Sequence, residues 1–496
     1  MSIKQLFAKK WAKRAVNNTN KWAQNPIATQ EKALKMLLQK AKNTAFGQDH
    51  GFAQIDSYED FVKQVPVRDY EGLRPYVDRV VAGEADILWP GKPRYFSKTS
   101  GTTSGVKYIP ISKESMPTHI KTAQNALFHY IHHSGNTSFV DGKMIFLQGS
   151  PILSKTSGID TGRLSGIVAH YIPSYLQKNR MPSWQTNCID DWEQKVDAIV
   201  EETHDQDMRL ISGIPPWVKM YFERLRAKNN QPIKDIFPNF SLFVYGGVNY
   251  APYRLILEEL TGKKIDSVEL YPASEGFIAF QDHPDENSML LQLDAGIFYE
   301  FVEADKIHEE NPLRVSLAAV KKGVNYAIIL NTSAGLWGYN IGDTVSFVNL
   351  KPYRIIVTGR IKHFISAFGE HVIGKEVEQA MEETLQVHDA RVTEFTVAPQ
   401  VTPEAGLPHH EWWVAFDSAP EDLATFAKTL DLSMRKQNTY YDDLIKGGVL
   451  CPLVIKPLPT GAFEQYMKKI GKLGGQNKTP RLTNDRKIAE ALNKQF

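Results

Sequence analysis

At 496 residues, with 42% hydrophobic and 23% charged side chains, the chain is of ordinary globular composition and too long for one simple core, so two or three domains are expected. A formal charge of +2 excludes any global electrostatic argument for nucleic acid, which needs a concentrated basic face. Cys188 and Cys451, the only two cysteines, exclude a disulfide framework and a cysteine-based zinc site and suit a reducing, cytoplasmic compartment, and no apolar run approaches the roughly 20 residues of a membrane span.

The first segment is basic. From Met1 to Gln30 there is no acidic residue, and Lys4, Lys9, Lys10, Lys13 and Arg14 interleave with Ile3, Phe7, Trp11 and Ala15 at helical spacing. Two readings arise, a targeting or membrane-surface helix and a helix packed on a large domain with a solvated basic face. The absence of a secretory apolar run, and a second helical pattern from Thr29 to Thr44, favour the packed helix. Ser57-Tyr-Glu-Asp60 reads as a capping box for a short helix ending at Pro66, and Arg68 to Gly83 supplies another helix.

Tyr95-Phe-Ser-Lys-Thr-Ser-Gly-Thr-Thr-Ser-Gly-Val-Lys-Tyr-Ile-Pro110 then packs hydroxyls, two glycines and a lysine into one loop between apolar segments. Gly101 and Gly105 permit a tight turn that brings amide groups to an anion, Ser100, Thr102, Thr103 and Ser104 add short donors, and Lys107 adds a mobile charge. It is not a Walker A loop, because three residues separate the glycines and Tyr108 follows the lysine. The plain alternative is a polar surface hairpin.

Strand-like runs at 143–148, 241–245, 265–271, 326–331 and 354–358 alternate with helical patterns at 192–203, 216–228 and 252–261, which predicts an α/β domain with several sheets covered by helices. Asp282-His-Pro-Asp-Glu286 reads as a solvated turn, His132-His133 as helix surface and His409-His410-Glu411 as loop. After Arg360 the pattern restarts as a compact α+β unit, with a helix over 375–385, a strand over 391–398, a Pro-rich loop to His410, a strand over 411–416 and a helix over 420–437. The expected domains are therefore 1–360 and 361–496. No Gly-x-Ser-x-Gly elbow or plausible cysteine nucleophile is present, which argues against a covalent acyl-enzyme.

The order of four stretches carries more than any one of them. The hydroxyl loop is followed by Tyr271-Pro-Ala-Ser274-Glu275-Gly276, then Tyr339-Asn-Ile-Gly-Asp343, then Val357-Thr-Gly-Arg360-Ile-Lys362. This series resembles the adenylate-forming ANL superfamily. Within it the chain is similar to the auxin-responsive Gretchen Hagen acyl acid-amido synthetases, a likeness that extends to Gly246-Gly247 with Tyr253, to Gly461-Ala-Phe-Glu464, and to Gly475-Gln-Asn-Lys478-Thr-Pro-Arg481. Gly359 stands where the superfamily usually has an aspartate.

The resemblance implies an ATP-dependent ligase with a large adenylating domain and a small mobile C-terminal domain. A carboxylic acid plus ATP gives acyl-AMP and pyrophosphate, and an amino acid or other amine then takes the acyl group and releases AMP. Such chemistry needs fixed donors, a metal and a positive side chain around the α-phosphate. By the same resemblance Ser100, Gly101, Thr102, Thr103 and Lys107 hold phosphates, Glu275 holds Mg²⁺, Tyr271 lies against the adenine, and Ser274 and Tyr339 belong to the nucleotide site. Asp343 takes the ribose hydroxyls, Arg360 contacts ribose or phosphate, and Lys478 serves adenylation. Neither nucleic acid nor integral membrane association is implied, and a monomer is expected. The acyl pocket falls between about residues 120 and 340, where Phe128, Tyr171, Trp217 and Tyr245 read equally as lining or core. An acyl-CoA ligase and a catalytically silent nucleotide-binding protein are the alternatives.

Overall fold

The computed structural model describes residues 2–100, 106–172, 177–247, 250–361, 364–365, 370, 372–446, 449–474, 478–483 and 485–496. The chain divides into two compact units. The larger comprises Met1–Tyr250, Leu255–Ile341 and Val345–Ile356, and the smaller Ala251–Arg254, Gly342–Thr344 and Val357–Phe496. Asp343 and Arg360 thus group with the smaller unit. Among the described residues no helix is long and apolar enough to cross a membrane.

The larger unit opens with helix α1, Ile3–Ala23, whose Ser2 cap accepts from the Gln5 amide while the Gln5 side chain returns to Ser2. Helix α2 runs over Pro26–Ala41, starting earlier than the pattern from Thr29 suggests because Pro26 suits the first helical turn. The helix read over 68–83 is trimmed to Tyr70–Val81, capped by Asp69, whose carboxylate accepts from the Gly72 amide at 3.1 Å.

A twelve-stranded mixed sheet forms the body of this unit. Its parallel part joins Lys143–Phe146, Met208–Ser212, Leu242–Gly246 and Asp266–Ala273, short apolar strands with helices between them. Gly246 ends one of them where a Cβ would lie 2.4 Å from the Leu270 carbonyl oxygen, so only glycine permits that approach. Asp266–Ala273 turns directly into Gly276–Phe280, antiparallel, with Ala273 opposite Gly276 and Ser274-Glu275 as the two-residue connection. A separate four-stranded sheet contains strands β1, Tyr95–Ser100, and β2, Val106–Ile111, paired antiparallel.

In the smaller unit Arg391–Gln400, His409–Ser418 and Val454–Leu458 make a three-stranded sheet. Trp412, Val414 and Phe416 pack with the helices Gly374–Leu385 and Leu423–Gln437, while Trp413 and Ala415 pack with Ala462–Lys469 and Lys487–Gln495. Both faces are covered, which is why Trp412-Trp-Val-Ala-Phe416 is apolar throughout.

Two readings of polar runs need correction. Asp282 is buried and not in a solvated turn, because Arg354 meets both its oxygens at 2.5 and 2.9 Å. His409 and His410 belong to the strand His409–Ser418, which starts two residues before the expected one, and not to a loop. His410 Nε2 lies 2.9 Å from the equally buried Glu370 carboxylate, and Arg486 reaches Glu411 at 2.6 Å.

Candidate active site

In the larger unit the stretches singled out by sequence converge on two hairpins. Residues Gly101, Thr102 and Thr103 lie outside the described residues, as does the Ser100 side chain, but the β1–β2 hairpin that carries them is defined up to the Ser100–Val106 pair. Ser97, buried on β1, has its hydroxyl 2.8 Å from that of Ser274, which ties the hydroxyl-loop hairpin to the Ser274-Glu275 turn. Glu275 is 9% exposed and accepts from the Tyr339 hydroxyl at 3.4 Å. A Cβ at Gly276 would meet Ile297 Cδ1 at 2.5 Å, so the residue after Glu275 has to be small. Tyr271 and Tyr339 are buried in the same core as Phe96 and Ile278, which fixes the walls on either side of this turn. Lys107, on β2, holds its ammonium 5.4 Å from the Tyr70 ring centre.

The smaller unit holds a second group. Gly342, at φ +88°, lets the chain turn at the start of Asp343, whose carboxylate accepts from Arg360 Nε at 2.6 Å. The Ile361 amide donates to the Gly342 carbonyl at 2.7 Å, and the Thr358 and Thr344 hydroxyls are 2.8 Å apart, so the two strands that present Asp343 and Arg360 are laced together. Gly359, at φ +151°, occupies backbone that side-chain-bearing residues rarely adopt, which rationalises its presence in place of an aspartate. Lys478 lies within the electrostatic reach of Asp343, Arg360 and Glu378. Its side chain still meets solvent, yet protein is dense around the ammonium. That desolvation, and then repulsion from Arg360, lower its pKa to about 8 against the pull of Asp343 and Glu378.

The segment bearing Lys478 is anchored by the residue three places on. Arg481 bonds Glu378 at 3.0 Å, pairs with Glu394, and stacks 4.7 Å from the Phe395 ring centre. Its carbonyl accepts from the Val397 amide at 2.9 Å, and Thr396 donates to the Pro480 carbonyl at 2.7 Å. Tyr253 completes the cluster by donating to Glu394 at 3.0 Å.

Three family models match successive parts of the chain: the GH3 family N-terminal domain over residues 15–190, the GH3 family central domain over 290–360 and the GH3 family C-terminal domain over 375–487. The chain belongs to the GH3 family. Among its GH3 relatives, a jasmonoyl–L-amino acid synthetase of Oryza sativa subsp. japonica is 21% identical, over 95% of this chain and 94% of that protein. An indole-3-acetic acid-amido synthetase of Arabidopsis thaliana is 23% identical over 93% of this chain and 92% of its own length. Among solved structures, the GH3.15 acyl acid amido synthetase in complex with 2,4-DB superposes with a TM-score of 0.79 at 19% identity, covering 97% of this chain and 96% of that one. A 2-hydroxyisobutyryl-CoA ligase in the postadenylation state gives 0.59 at 13% identity, covering 94% and 90%. Both show a shared fold.

Ser97, Glu378 and Glu394 were not singled out by sequence. Ser97 carries a faint signal, a hydroxyl at the buried position of a strand between Phe96 and Lys98; the two glutamates carry none, because only the fold brings them to Arg481. The four aromatics left open are all engaged with other rings. Trp217 lies 4.4 Å from Trp192, Tyr245 4.9 Å from Tyr250, Tyr171 5.9 Å from Tyr95 and Phe128 6.4 Å from Trp11.

Proposed function

We propose that this GH3 protein is an ATP-dependent acyl acid-amido synthetase. The observation that carries the reading is the run of three GH3 domain matches along one chain, with relatives named as amido synthetases aligned over almost its whole length. A carboxylate oxygen of the acid attacks the α-phosphorus of ATP, the bond from that phosphorus to the bridging oxygen breaks, and pyrophosphate leaves. An amino acid then attacks the acyl carbon through its amine, loses a proton and expels AMP.

The residues divide these tasks by chemistry. Ser100, Gly101, Thr102, Thr103 and Lys107 hold phosphate oxygens, with Ser97 and Ser274 fixing the hairpin they come from. Tyr271 and Tyr339 bound the nucleotide, and Asp343 accepts from the ribose hydroxyls while Arg360 holds its carboxylate in place. Lys478 neutralises charge that develops on the α-phosphate, the kind of preorganised contact that accelerates a step only if it strengthens in the transition state. Glu275 suits a magnesium ion, being an oxygen donor positioned on a tight turn by Tyr339. When bound, that ion supplies positive charge to the phosphate oxygens. We further propose that residues 361–496 form a mobile C-terminal domain, and that the enzyme acts as a cytoplasmic monomer.

Lys478→Ala tests the assignment within the reaction. ATP–pyrophosphate exchange should fall roughly 10²- to 10³-fold, the usual loss for one such donor, while conversion of synthetic acyl-AMP and amine to amide stays near the wild-type rate. Equal losses in both half-reactions would mean that Lys478 supports the fold, and normal exchange would remove it from the site. The fold shared with a CoA ligase favours one rival, in which CoA replaces the amine as acceptor.

A further inference from the structure

Helix α1 is fixed by one face and displays another. Its buried side is made of small residues, Ala8, Ala12, Ala15, Val16 and Thr19. Ala8 and Ala12 join Ala126, Tyr130 and Ile131 of the helix Met116–Ser134, and the Thr19 hydroxyl lies 3.0 Å from His129 Nε2. Its start is pinned as well, because Ser2 Oγ and Gln5 Nε2 donate to the two oxygens of Asp141 at 2.7 and 2.8 Å.

The outward side is apolar and cationic at once. Ile3, Leu6, Phe7 and Trp11 are 73, 58, 52 and 47% exposed, at spacings that place them along one stripe, with the Phe7 and Trp11 rings 6.0 Å apart. Lys4, Lys9, Lys10, Lys13, Arg14 and Lys21 surround that stripe, all exposed, and the first acidic residue of the chain is Glu31. These six cations account for the sign of the whole charge: without them the 58 Lys and Arg become 52 against 56 Asp and Glu, so the rest of the chain is net −4 and α1 is +6. The alanine face attaches the helix, with Trp11 adding an edge contact to the Phe128 ring at 6.4 Å, and the largely exposed Ile3, Leu6 and Phe7 on a folded, anchored element call for a partner.

We propose that α1 is a peripheral docking surface for an anionic lipid bilayer, with Ile3, Leu6, Phe7 and Trp11 entering the headgroup boundary and the six cations meeting lipid phosphates and carboxylates. Charge complementarity selects this occupant. Every charge on the helix is positive, which suits a surface of dense negative charge, and the tryptophan and phenylalanine suit the bilayer interface. A second copy of the chain would set six cations against six, which opposes self-pairing through this face. The inference stands apart from the proposed reaction.

The test is cosedimentation of the full chain with vesicles of phosphatidylcholine alone and of phosphatidylcholine mixed equally with phosphatidylserine. The wild-type protein should bind the anionic vesicles at least about tenfold more tightly than the neutral ones, and lose that binding in high salt. Ile3→Gln/Phe7→Gln should weaken anionic-vesicle binding by about tenfold or more while keeping the wild-type melting temperature, because neither side chain holds the helix down. Lys10→Glu/Lys13→Glu should do the same through charge. Absence of binding, equal binding to both vesicles, or binding unaffected by either double substitution overturns the proposal. So does a wild-type dimer that Ile3→Gln/Phe7→Gln dissolves, which would make a second copy the occupant.

Discussion

Removal of Asp343 separates a nucleotide contact from a structural one. In the free protein its carboxylate is engaged by Arg360 at 2.6 Å, but the Arg360 side chain is 53% exposed and that of Asp343 14%. An ion pair so open to water contributes little to folding, about 0 to 1 kcal/mol, so Asp343→Ala should melt within a few degrees of the wild type. The ribose contact is of another size. A hydrogen bond to a charged acceptor is worth about 1.5 to 3 kcal/mol, which predicts ATP binding weakened roughly 10- to 150-fold in Kd. Because the ribose is unchanged between ground and transition states, the loss should appear in ATP affinity more than in the rate at saturating ATP. Titration calorimetry of ATP into the folded variant measures it. Unchanged affinity would take Asp343 out of the nucleotide site, and a large fall in melting temperature would make its role structural.

Further outcomes follow from the same geometry. Lys478 is charged below its pKa of about 8 and neutral above it. A step that needs the cation should therefore hold its rate below that pH and lose it on passing through about 8, and Asp343→Ala, which removes a group favouring the charged form, should move the midpoint to lower pH; exchange that stays level to about pH 10 would contradict this. Glu275→Gln keeps size and loses charge, so it should raise the Mg²⁺ concentration needed for pyrophosphate exchange, and superimposable metal titrations would exclude Glu275 as a ligand. Asp282→Ala leaves the buried Arg354 guanidinium without its carboxylate and should destabilise the larger unit by about 3 to 5 kcal/mol in urea unfolding, whereas a loss under about 1 kcal/mol would mean that water replaces the pair.

What could be read from the chain beforehand follows the range of the interactions involved. The parallel strands at 143–146 and 242–246 were legible because strands covered on both sides are continuously apolar over a few residues and end in glycine or polar turns. The helix cap at Ser57 lies within one turn of what it bonds. Asp282 misled because its neighbours His283, Pro284 and Asp285 describe a turn, while the residue that buries it, Arg354, is 72 positions away. His410 misled for a similar reason, its partner Glu370 being 40 positions earlier and outside any pattern. In the candidate site the order of the motifs pointed to Glu275, Asp343 and Lys478, but not to the scaffold behind them. Ser97 meets Ser274 across 177 residues and Arg481 meets Glu378 across 103, distances that no local periodicity records. On α1 the alternation of cations and apolar residues was plain, yet which face would be buried depended on the alanines finding Ala126 and Tyr130.

The central claim is that an acid is activated with ATP and handed to an amine. AMP release is to be followed for each acid that supports pyrophosphate exchange, drawn from aryl, indole and fatty acids, with an amino acid mixture, with CoA, and with neither. The account predicts AMP formation that depends on an amino acid and yields an amide. Dependence on CoA with a thioester product, or ATP binding without turnover with any acceptor, would contradict it.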